Sequence, residues 1–329
     1  MLPLRAVSVE PRRWRTFTLA FYVPEGSEVP SFERIDAFLT DVPGLMRYAP
    51  YTGMYYAYEN RATGVKGAFR YDLATQVASS EALEEAIPEE PPPEAPGWTA
   101  APLQFLASLG VSSWWPRELM PLVVRACEGL GLAVLDHHLL LGAPHAATVE
   151  ELTERWAEAN RGVLPRLRET TKDPRFYMPP ERMRAVWEYL RERRRLEGEL
   201  GPRGVRVPEV SFFPSGAEAV SAVPWVAGEA SVFARVDRVC VKRVRRGFLG
   251  IGGEEESGWV AWEAFAAALG PRLSRRPGEE GWLLFDGPLD RPLRRAIEAL
   301  PLTPFSWQER LDPGLVVDEL VADESRRPA

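Results

Sequence analysis

The segment 132-LAVLDHHLLLGAPH-145 holds all three histidines of the chain, His137, His138 and His145, with Asp136 beside them. Imidazoles and a carboxylate in so short a span are the raw material of a metal site or of acid–base catalysis. A metal-dependent hydrolase would draw on Asp136, His137, His138 and His145. His138 and His145 would be its metal-binding pair if the loop 139–144 folds back, with Asp136 orienting an imidazole from behind. The spacing works against this arrangement. His137 and His138 are neighbours at the end of an apolar run that reads as a strand, so they point to opposite faces and do not easily share one ion. Capping of a strand end and a helix entry accounts for the same residues. The expectation is therefore no metal and no catalytic site, with the hydrolase as the alternative.

The remaining chemistry-bearing stretches fail in specific ways. The loop 247-GFLGIGGEEE-256 is glycine-rich and follows a strand, but it has no Gly-Lys-Ser/Thr ending. It also does not match G-x-G-x-x-G and runs into three glutamates that repel phosphate. It reads as a flexible loop, and no cofactor is expected. Pro214-Ser215-Gly216-Ala217 is a hairpin turn, not a nucleophile elbow. Cys127 and Cys240 lie far apart in apolar runs and read as buried thiols. Asp136, Asp237 and Asp286 follow apolar strands, but no acid-x-Lys accompanies them: two residues before Lys242 stands Cys240. Each aspartate reads as a strand-end turn former. Asn160 falls on or near the buried stripe of a long helix, where its amide must find partners in a loop from the other half or in a ligand.

Surface chemistry is the richer signal. The stretch 47-RYAPYTGMYYAYEN-60 carries five tyrosines, at 48, 51, 55, 56 and 58. Alternation sends Tyr56 and Tyr58 to one strand face and Tyr55 to the other, while Arg47, Tyr48 and Tyr51 fall in the preceding loop. Tyrosine beside arginine is the chemistry of binding hot spots. Trp114 and Trp115 sit in a strand-to-helix loop and point different ways, so at least one is a candidate for exposure. The alternative is that both plug the gap between sheet and helix. Arg47, Tyr48, Tyr51, Trp114 and Trp115 are the candidate partner-binding residues.

The charge balance narrows the partner. A net charge of −7 repels a phosphate backbone, which disfavours nucleic acid and suits a basic protein. The N-terminal MLPLRAVSVEPRRWRTF has no apolar core of a signal peptide, and no run approaches a membrane span. With reduced thiols, this makes the cytoplasm the expected compartment. The expected function is a soluble, non-enzymatic protein-binding protein, of the immunity or accessory type, that masks a protein partner through Tyr/Trp/Arg loops.

The elements that position these residues follow from periodicity. A 45% hydrophobic chain of 329 residues can bury a sizeable core. Residues 14–23 read as a strand, and 31–42 as a helix capped by Ser31. Residues 53–59 and 65–73 form a hairpin turned at Gly64. The Pro/Glu-rich connector 84-EEAIPEEPPPEAPG-97 resists both helix and strand. A strand at 102–110, a helix at 116–131 and a strand at 132–137 follow. Two long amphipathic helices, 148–169 and 180–200, come next. The first opens with a capping box, Thr148 to Glu151, and Pro165 should kink or end it. The last third reads as strands at 205–213, 219–226 and 231–244 in a meander, then a helix at 259–269, a strand at 281–286 and a helix at 291–300. The tail after Pro313 is expected as a loosely docked strand or coil. The fold class is α+β: two mixed-sheet units with helices packed on them, joined by the two long helices. The division expected is 1–145, 146–202 and 203–329, the last packed with the first in one body.

Overall fold

A computed structural model describes residues 15–49, 54–72, 91–137, 141–170, 175–246, 253–275 and 281–318. Tyr51, His138 and residues 84–90 of the connector lie outside the described residues, while 91–97 form neither helix nor strand, as expected. The fold is α+β, and its contacts divide into two compact units. Residues 15–61 and 65–170 make up the first, and residues 62–64 and 175–318 the second. The division falls between the two long helices, so each belongs to a different unit.

The first unit runs β1 (Thr16–Pro24), α1 (Phe32–Thr40), β2 (Leu45–Tyr48), β3 (Met54–Asn60), β4 (Val65–Tyr71), β5 (Trp98–Ser108), α2 (Trp115–Leu130), β6 (Ala133–Asp136) and α3 (Val149–Thr170). Its strands form one six-stranded sheet in the order β2-β3-β4-β5-β1-β6. Every neighbouring pair is antiparallel. Ser31 caps α1 by accepting from the Arg34 N–H, as the sequence predicts. One strand differs from the sequence reading: residues 45–48 are not loop but β2, paired with β3.

Register decides which side chains meet the helices, because directly opposed residues share a face. Arg47, Tyr56, Phe69, Phe105 and Leu19 stand in one row across the sheet. That row faces the helices. The Tyr56 hydroxyl donates to Asp36 of α1, and Tyr58 on the same face donates to Glu118 of α2. The helix α3 lies alongside α2.

The crossover from β5 into α2 is held by Asn160, which is fully buried on α3. Its Oδ1 accepts from the N–H groups of Gly110 (2.6 Å) and Val111 (3.4 Å), and its Nδ2 donates to the Val111 carbonyl at 3.1 Å. The amide partners a loop of its own unit, rather than the loop of the other half expected from sequence. The Trp156 indole, one turn earlier, donates to the Ser108 carbonyl. The backbone of α3 continues helically past Pro165 to Thr170, so Pro165 does not end the helix.

The second unit comprises β7 (Phe176–Tyr177), α4 (Pro180–Leu200), β8 (Ser211–Ser215), β9 (Glu218–Val226), β10 (Ser231–Ala234), β11 (Arg238–Arg246), β12 (Gly253–Ala261), α5 (Trp262–Leu269), β13 (Leu273–Ser274), β14 (Trp282–Phe285), α6 (Arg291–Glu298) and β15 (Val316–Val317). The run 231–244 is not one strand of a meander. It breaks at Asp237, so that β10 joins β14 and β13 in one sheet while β11 lies parallel to β9 in another. Asp237 makes the break: its Oδ2 accepts from Ser221 N and Oγ, both at 2.8 Å, and its Oδ1 accepts from Arg182 at 2.7 Å. Residues 253–256, expected as part of a flexible loop, belong to β12 and pair with β11. The tail is docked, with Val316 and Val317 buried and parallel to β7.

Asn160 carries the first prediction. Removing its amide leaves two N–H groups and a carbonyl unmatched in the interior, so Asn160→Ala should cost about 3 kcal/mol. Asn160→Asp, which keeps the volume but cannot donate to Val111, should also destabilise. Urea unfolding at constant slope is the measurement, and a loss well under about 1 kcal/mol for both would remove the clamp from this account.

Candidate functional site

The histidine cluster does not converge among the described residues. Asp136 is fully buried at the end of β6, and its Oδ2 accepts from the Leu141 N–H at 2.8 Å. It fastens the loop that follows it, the turn-former role expected from sequence. The His137 N–H donates to the Thr18 carbonyl across the β1–β6 ladder. His145 lies on the outer rim of β6, where it exchanges two backbone hydrogen bonds with Val134, at 3.0 and 3.3 Å.

Both ring nitrogens of His145 face acceptors: Nδ1 meets the Ala143 carbonyl at 2.9 Å and Nε2 meets the Glu151 carboxylate at 3.0 Å. A neutral imidazole has one N–H, so this geometry favours the cation, which has two and no free lone pair for a metal. The Ala143 carbonyl first, then the Glu151 carboxylate, raises the imidazole pKa above its ordinary value. The expected capping box of α3 is thereby half realised. Thr148 Oγ1 accepts from the Glu151 N–H, but the Glu151 side chain goes to His145. Among the described residues, no group of three His, Cys, Asp or Glu side chains is placed to hold a metal ion.

An open cavity of about 590 Å³ lies nearby, lined by residues that include Pro24, Trp98, Cys127, Leu132 and Ala147. Burial pushes the Cys127 thiol up to about 12, so it is protonated at neutral pH and does not act as a nucleophile. Glu128 and Thr148 also line the cavity. They form no nucleophile–base pair with Cys127 that would support catalysis.

The partner-binding residues divide sharply. Trp114 and Trp115 are buried, at 2% and 4% exposure, so both plug the gap between sheet and helix, the alternative read from sequence, and neither is available as a partner-binding residue. The reason is the Asn160 clamp: it draws the Gly110–Val111 backbone onto α3, and the two indoles that follow are carried inside. Tyr48 is the opposite case, at 56% exposure, and Met46 joins it at 54%. Met46 and Tyr48 alternate with Arg47 along β2, so they point away from the helix-packed side.

Their cross-strand row continues the same surface. Tyr48 stands opposite Tyr55, which stands opposite Arg70, and Met46 stands opposite Ala57 and then Ala68. Tyr55, Ala57, Ala68 and Arg70 are partly exposed. Towards β1 and β6 this second face is covered, as Ala95, Trp98 and Leu141 pack over Ala20, Tyr22 and Leu135. Towards β2 it carries exposed methionine and tyrosine. Arg47 itself lies on the helix-facing side, with Nε 2.9 Å from Asp36 and about half of its side chain exposed.

Met46 was not among the residues selected from sequence. A four-residue strand between Pro43-Gly44 and Pro50 is too short to show a period, so Leu45-Met46-Arg47-Tyr48 reads as loop until its pairing is known. Comparison with protein-family models, curated proteins and solved structures gives no match for this chain.

The His145 clamp generates a pH prediction. A folded-state pKa above the unfolded value means that the clamp contributes its full stability below the ordinary imidazole pKa of about 6.5. That contribution fades as pH rises through the raised value. In an NMR titration of the imidazole Cε1–H, His145 should titrate above 6.5, and Glu151→Gln should bring it down. An unshifted His145, indifferent to Glu151, would contradict the clamp.

Proposed function

We propose that this chain is a non-enzymatic protein-binding protein, of the immunity or accessory type, which engages and masks a protein partner through the helix-free side of its first sheet. Tyr48 and Met46 are the anchors and Arg47 flanks them. The observation that carries this reading is their exposure, at 56% and 54%, two residues apart on one side of a sheet. A lone exposed apolar residue needs no explanation, but two large ones side by side with tyrosine beyond them make a patch. Tyrosine gives a partner apolar area with a hydroxyl at its rim and few rotatable bonds to freeze.

Other observations support the reading. His145 is held by the Ala143 carbonyl and Glu151, the Cys127 thiol is buried, and Trp114 and Trp115 serve the core. A net charge of −7 steers a partner of basic overall charge toward the chain, more strongly at low salt. Among the described residues no helix is long and apolar enough to cross a membrane.

The test compares wild type with a Met46→Ser/Tyr48→Ala double variant as bait in extracts of the native host. Both side chains are exposed, so the variant should keep wild-type stability to within about 0.5 kcal/mol. Partner recovery should fall on the order of tenfold or more, the scale of a lost hot spot. Equal recovery by both baits would mean that this face does not bind the partner.

A further inference from the structure

One end of the first unit gathers a cleft from both the sheet and the helices. Pro24 ends β1 and stands opposite Trp98, which begins β5, and Ala133 begins β6 beside them. The last turn of α2 and the first turn of α3 complete the cleft, and its volume is about 590 Å³. Small-molecule sites occupy roughly 300–1,000 Å³. The walls are apolar. Trp98, Val124 and Val149 are half-buried around the opening, and Leu132 and Ala147 are buried behind them.

Charge at this end is one-sided. Glu128 is the lining residue that carries a full charge, since the Cys127 thiol beside it stays protonated. It stands in the last turn of α2, where the helix dipole is already negative and no basic residue answers it. A carboxylate there opposes the dipole, and no ion pair reaches Glu128 among the described residues. The N-terminus of α3 across the cleft is positive, but Glu150 and Glu151 already complement it, and Glu151 also holds His145. The Glu128 charge reaches into the cleft: burial first, and then Glu128, raises the Cys127 thiol.

We propose that this cleft binds a small organic cation, an aromatic or aliphatic body that bears a protonated amine. The body lies against Trp98, Val124 and Val149, and the ammonium sits at Glu128 and the end of α2. A cation there answers the carboxylate and the helix dipole together. The indole of Trp98 adds attraction for an ammonium that lies over its face. A carboxylate ligand of the same shape is repelled by Glu128, and a neutral one gains apolar contact alone. The protonated thiol takes no covalent part, so the site binds and does not react. It is a second site, on the β6 side of the sheet, whereas the face carrying Met46 and Tyr48 is on the β2 side.

The experiment titrates the full chain with phenethylamine, 2-phenylethanol and 3-phenylpropionate, which share one body and differ in charge. Backbone amide shifts in a ¹H–¹⁵N spectrum report where each binds. Support is saturable movement of the Val124, Glu128, Ala147 and Val149 amides by phenethylamine, with an affinity about fivefold or more above that of the alcohol and the acid, the scale of one partly exposed charge pair. Glu128→Gln, a change at an exposed position that keeps the fold, should abolish that preference. Equal binding of the three probes overturns the choice of a cation. A preference that survives Glu128→Gln overturns the site as the source of the selectivity. Absence of saturable shifts at these amides up to millimolar phenethylamine overturns the site itself.

Discussion

The first unit depends on a single buried amide. Asn160 stands on α3 and satisfies two N–H groups and one carbonyl of the Gly110–Val111 crossover. Those backbone groups have left the β5 ladder and have not yet entered α2, so they need a partner in the interior. By supplying it from a third element, Asn160 fixes α2 against α3 and both against one side of the sheet. Trp114 and Trp115 are buried as a consequence. Among the described residues the sheet is then dressed with helices on one face, while the other is covered toward β1 and β6.

That asymmetry makes the binding proposal specific. A two-sided helical cover would have hidden Met46 and Tyr48. At the β6 edge His145 is taken up by its pairing with Val134. His145 is held by a carbonyl and a carboxylate, and Asp136 holds an amide. Groups with catalytic potential become fasteners once their lone pairs and protons are taken by neighbours.

Two charged side chains, one partly exposed and one buried, organise the second unit. Asp237 receives hydrogen bonds from Ser221 and Arg182 and turns the chain from one sheet into another. Arg243, nearly fully buried on β11, donates to the carbonyls of Ile297 and Leu300 at the end of α6, and its guanidinium pairs with Glu256 on β12. A guanidinium caps a helix end well because its several N–H groups reach different acceptors at once. Removing the acceptors of Arg243 would leave an uncompensated charge inside, which is costlier than losing the contact itself.

Local chemistry made much of this legible in the sequence. Periodicity gives the helices at 115–130, 149–170 and 180–200, because one apolar stripe suffices to mark a face. Ser31 marks the start of α1, Gly64 its left-handed turn, and the α+β class follows from the order of elements. The adjacency of His137 and His138 argues against a shared ion from alternation alone. What depended on distant partners was not legible. β2 is too short to show a period and exists because β3 lies beside it. The break at Asp237 inside an apolar run is made by Ser221, sixteen residues earlier. Trp114, Trp115 and Tyr48 are all aromatic residues in or near loops. Their opposite fates were decided only when Asn160 pulled one loop inward and the sheet left the other at its edge.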